Sequence, residues 1–96
     1  MTTRNQHFPT TLAQIGRMNV LAISGGRVQS NADTLVLPVA HGYSVEIDLD
    51  ASDTYNVRRV FTRAGVRSVK GERTDVYCDE LGEVAYRASC YHDEWV

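Results

Sequence analysis

Six of the ten basic residues in this 96-residue chain fall between positions 58 and 73: Arg58, Arg59, Arg63, Arg67, Lys70 and Arg73, with Glu72 the one acid among them. Guanidinium groups at that density can hold phosphates or an acidic protein surface. Acids flank the stretch on both sides, at Glu46, Asp48, Asp50 and Asp53 and again at Asp75, Asp79, Glu80 and Glu83. The competing expectation is therefore a solvated sheet face whose charges pair across strands. Strand alternation divides the basic residues. Arg58 points with Asn56 and Val60, whereas Arg59 points with Val57 and Phe61, so the cations do not all line one groove.

Other reactive residues are scattered. His7, His41 and His92 fall in expected loops or tails, and Cys90, His92, Asp93 and Glu94 lack any spacing that would hold a metal. Asp48, Asp50 and Asp53 read as the wet face of a strand followed by a capped turn. Ser24-Gly25-Gly26 lacks the extra glycines, lysine and following helix of a phosphate cradle. Cys78 sits among acids, which disfavour its thiolate, and reads as a packing residue. Two cysteines make no disulfide framework. No metal, cofactor or organised catalytic set is expected.

The elements that must carry these residues follow from periodicity. Pro9 with Thr10 or Thr11 opens a short helix, Leu12, Ile15 and Met18 sharing a face, and residues 1–9 are expected to be loose. Val20-Leu21-Ala22-Ile23 reads as a buried strand ended by Gly25-Gly26, and Arg27–Thr34 as a polar loop. Leu35–Leu37 is a strand that lies at an edge or stops at Pro38. Tyr43, Val45, Ile47 and Leu49 alternate with Ser44, Glu46, Asp48 and Asp50, the clearest strand in the chain. Residues 54–62 repeat the pattern, with Arg59 on the core face, where its stem must reach an edge or a bulge must shift the register. Ala64-Gly65 turns the chain into a returning strand over 66–73. Thr74-Asp75 predicts the start of a longer helix to about Ala88, with Tyr77, Leu81, Val84, Ala85 and Ala88 on its apolar stripe. Residues 90–96 form a tail whose Tyr91 and Trp95 need a surface to lie on. The fold class is α+β, an antiparallel meander of about five strands packed by a short N-terminal and a longer C-terminal helix, within one domain over 10–89.

The totals agree with that reading. Apolar residues make up 43% and charged residues 23%, with a net charge of −2. The longest apolar run, Val20 to Ile23, is far short of a membrane span, and the N-terminus has no apolar signal segment, so an intracellular, cytoplasmic protein is expected.

LAQIG (Leu12–Gly16), ISGG (Ile23–Gly26), LVLPVA (Leu35–Ala40), DTYNVRRVF (Asp53–Phe61) and DVYCDELGEV (Asp75–Val84) occur in an order that resembles a family of small bacteriophage and prophage proteins. The resemblance implies a short helix, a strand ending in a small-residue turn, a Leu-Pro strand, an Asp-Thr-Tyr strand and an Asp-Val-Tyr helix. It also implies a phage or prophage gene product made in the host cytosol. The C-terminal CYHDEWV extends past the family's usual end. Function is then expected to be non-enzymatic binding of a host or phage protein through Arg58, Arg59, Arg63, Arg67, Lys70, Tyr91 and Trp95. A nucleic-acid module using the same hairpin is the second expectation, because the net charge is negative and Tyr55 and Phe61 have core parity. A small enzyme using His41, His92 or the aspartates is the third. An edge strand and the Trp-bearing tail also invite a homodimer.

Overall fold

The structure, a computed structural model, describes residues 8–31, 33–50, 52–92 and 95. In chain order its elements are α1 (Phe8–Ile15), α2 (Arg17–Ser24), β1 (Gln29–Asn31), β2 (Thr34–Pro38), β3 (Tyr43–Leu49), β4 (Tyr55–Arg63), β5 (Val66–Val76) and α3 (Leu81–Ser89). Every neighbouring pair of strands is antiparallel, and the sheet order is β1-β2-β3-β4-β5. This is the expected α+β meander. Ile15, Val20 and Ile23 from α1 and α2, with Leu81, Val84, Ala85 and Ala88 from α3, cover the face that carries Leu35, Leu37, Val45, Ile47, Tyr55, Val57 and Val76. Leu35, Leu37, Val45, Ile47 and Val57 are wholly buried, each contributing about 1.5–3 kcal/mol by removal from water.

Several expectations need correction. Residues 20–23 are helical, not a strand. Val20, Ile23 and Ser24 are the buried positions, a three- and four-residue spacing, while Leu21 between them is exposed. The chain breaks at Gly16, and the left-handed conformation of Gly25 (φ 66°) lets its N–H return to the Leu21 carbonyl and end α2. Met18 thus belongs to a second helix and is exposed instead of extending the face of α1. The missing strand is supplied by polar Gln29–Asn31, which pairs with β2, so β2 is internal and simply ends at Pro38. Finally, Asp75 is not a helix start. It adopts φ 56° within a register shift where β5 places Arg73 opposite Val57 and Val76 opposite Tyr55. The shift returns Val76 to the core, and α3 begins only at Leu81, leaving Tyr77 and Cys78 exposed in the preceding turn. Cys78 is exposed and not the packing residue expected.

The loose N-terminus expected over residues 1–9 lies outside the described residues except for Phe8 and Pro9, which belong to α1. Ala64 and Gly65 both have positive φ, at 53° and 79°, the two-residue hairpin turn whose twist matches its strands. Among the described residues, no helix is long and apolar enough to cross a membrane.

Candidate functional site

Cross-strand register places Glu46, Arg58 and Glu72 side by side on β3, β4 and β5, on the sheet face opposite the helices. Arg58 donates from Nη2 to Asp48 at 2.5 Å, from Nε to Glu46 at 3.3 Å and from Nη1 to Glu72 at 3.4 Å. Arg67 meets Glu46 with both edges of its guanidinium, Nε to Oε2 at 2.9 Å and Nη2 to Oε1. Asp48 also accepts a 2.5 Å hydrogen bond from Thr34. Glu46, expected on a wet face, is buried. The hydrogen bonds from Arg67, and then those from Arg58, outweigh its desolvation and hold its pKa below the usual carboxylate range.

Arg59 takes the other face. Alternation aims it at the core, where a bare charge would be costly. It avoids that cost by reaching the C-terminus of α3, donating from Nε to the Ala88 carbonyl at 2.7 Å and from Nη2 to Arg87 and Cys90 at 3.1 and 3.0 Å. These carbonyls lie at the negative pole of the helix dipole, where the Arg87 carbonyl also accepts the Cys90 N–H that caps α3. The Arg59 guanidinium also lies 5.6 Å from the centre of the Trp95 ring, and Trp95 packs against the core.

Tyr91 finds its surface on Tyr43. The rings stack at 4.4 Å with 8° between planes, Phe61 lies 5.0 Å beyond Tyr43, and His92 and His41 approach Tyr91 at 4.3 and 5.9 Å. Lys70 sits over Phe61 at 5.8 Å. Tyr43 and Tyr91 therefore each cover one face of the other, which removes surface on which a nucleobase could stack.

The seven residues singled out in the sequence do not converge. Arg58 and Arg67 join an ion-pair ladder on the open face, and Arg59 is buried under α3. Arg63 is exposed at the hairpin end, Lys70 covers a ring, and Tyr91 and Trp95 fold back onto the domain. Asp50 accepts from Ser52 within its turn, and among the described residues no three His, Cys, Asp or Glu side chains gather as metal ligands.

Sequence reading missed a second feature because it took residues 20–23 for a strand. With α1 and α2 adjacent, Leu12, Ala13, Arg17, Val20, Leu21, Gly26 and Val28 line an open groove of about 390 Å³. Its walls are mostly apolar. Leu21 is 45% and Val28 41% exposed, and Met18, at 77%, lies three residues from Leu21 along the same helix. The four-residue repeat of Arg17 and Leu21 is the signal that could have found it.

Comparison with models of known protein families, with curated proteins and with solved structures finds no match to this chain.

Proposed function

We propose that this chain is a non-enzymatic binding protein that docks on another protein through the groove between α1 and α2. The observation that carries the reading is the exposure of Leu21 and Val28 in an apolar groove, with Met18 exposed one turn before Leu21 on α2. Exposed apolar clusters of this kind mark contact surfaces, and methionine suits them because its side chain adapts to irregular partners. Arg58, Arg59 and Arg67, by contrast, already have partners within the domain. The resemblance to phage-encoded proteins makes a host or phage protein the class of partner to seek.

A nucleic-acid reading is retained for one reason: Arg63 and Lys70 are exposed on the hairpin, with Lys70 beside Phe61. Pairing of two copies through the edge of β5 is the weaker alternative. Two register irregularities and the charges of Arg67, Lys70 and Arg73 disrupt that edge, devices that discourage edge-to-edge association.

Capture from host extract, with and without nuclease, distinguishes these readings when wild type is compared with Met18→Asp/Leu21→Asp and Arg63→Ala/Lys70→Ala. A discrete protein retained after nuclease, lost with the first variant and kept with the second, is the expected result. Nuclease-sensitive capture lost only with the second variant would replace it with the nucleic-acid reading.

A further inference from the structure

Charge is distributed along this chain in one direction. Its first 32 residues hold three of the ten basic residues, Arg4, Arg17 and Arg27, and none of the twelve acids. Helices α1 and α2 both come from this acid-free stretch, and among the described residues Arg17 is the one charged residue lining the groove between them. Arg27 is exposed between the lining residues Gly26 and Val28. Its Nε donates to the Ser24 carbonyl at 3.3 Å, which ties the side chain to the end of α2. The groove is thus an apolar trough lined by one arginine, with Arg27 between two of its lining residues, on a protein whose remaining residues are acidic in balance.

We infer that the occupant of this groove is an acidic amphipathic segment of the partner protein, helical, with apolar anchors three or four residues apart and Asp or Glu flanking them. The inference rests on the docking reading given above and specifies the chemistry of what docks. A volume of about 390 Å³ accommodates a few large apolar side chains, the pattern by which a helix lies in a groove. The arginines decide the charge. A second copy packed groove to groove would set one acid-free, Arg17-bearing surface against another, which disfavours self-association here. A phosphate backbone would gain little from one lining arginine among Leu12, Ala13, Val20, Leu21 and Val28.

Selection from a random peptide library on the immobilised full chain tests this, with Leu21→Asp and Arg17→Glu/Arg27→Glu as parallel targets shown by circular dichroism to be folded. Peptides recovered on wild type should combine Asp or Glu with apolar residues at three- and four-residue spacing. Their retention should fall about tenfold on the charge-reversed variant, the effect of two exposed ion pairs within their ordinary range, and selection on that variant should turn to Lys and Arg. Recovery without acidic bias, or with a bias that reversal leaves intact, overturns the inference while leaving the groove as the docking surface. Identical peptides on Leu21→Asp overturn the groove reading itself. Failure to enrich any peptide, with sedimentation showing a dimer that Leu21→Asp dissociates, overturns it in favour of a second copy. Binding to phosphatidylserine vesicles without peptide enrichment overturns it in favour of a membrane surface.

Discussion

Arg59 donates to the carbonyl of Ala88 at 2.7 Å and so joins the middle of β4 to the last turn of α3. One buried guanidinium thereby serves three carbonyls at the end of α3, and the same side chain lies against Trp95, the chain's one tryptophan.

Substituting Arg59 should loosen both contacts together. Arg59→Met keeps most of the apolar stem but removes the guanidinium that serves the Ala88 and Cys90 carbonyls, and a loss of about 3 kcal/mol is expected in denaturant unfolding. Arg59→Lys should recover little of it, because an ammonium lacks the planar fork that meets several carbonyls at once. Trp95 fluorescence should shift to longer wavelength in both variants. Unchanged emission would show that Arg59 does not hold the tryptophan.

Acid should weaken the open-face ladder through Glu46. Its pKa is lowered in the folded protein, chiefly by the hydrogen bonds from Arg67. The associated stability is complete above the pH where this carboxylate titrates in the unfolded chain, and is lost as pH falls through the lower folded value. Wild type should therefore exceed Glu46→Gln in unfolding free energy most near neutral pH, with the gap closing on acidification. A gap that widens in acid would contradict the assignment.

Gly82 marks the closest approach of α3 to the first two helices. A Cβ built there would lie 2.5 Å from the Ile15 carbonyl oxygen and 2.8 Å from Asn19 Nδ2. Gly82→Ala should cost about 2 kcal/mol despite alanine's higher helix propensity, since the backbone must shift. Equal or greater stability in thermal unfolding would mean that the three helices pack less closely than described.

The hairpin offers the opposite sign. Ala64 holds φ 53°, a conformation that asparagine tolerates better than alanine. Ala64→Asn should raise stability by about 0.5 kcal/mol, read as an increase in melting temperature.

Much of the sheet was legible because β3 and the first half of β4 alternate apolar and polar residues, and the parity of Arg59 on β4 already aimed a charge at the core. Where that charge would go was not legible, since its partners are backbone carbonyls 28 to 31 residues away. Val20–Ile23 misled because a short apolar run looks the same in a buried strand and in a helix whose neighbours cover it. Gln29–Asn31 carries no apolar signal, being a short polar edge held by its pairing with β2. Asp75 reads as a helix cap by residue type, but the left-handed bulge it occupies depends on tertiary pairing with β4. The groove was invisible for the same reason as α2. The basic hairpin drew notice as a cluster in sequence, and folding distributes it over two faces of the sheet.

A photo-crosslinking residue placed at Met18, at Leu21 or at Arg63 in the full chain, expressed in host cells and irradiated, tests the account most directly. The groove reading predicts one discrete protein adduct from positions 18 and 21 and none from position 63. Adducts from position 63 alone, with positions 18 and 21 silent, would contradict it.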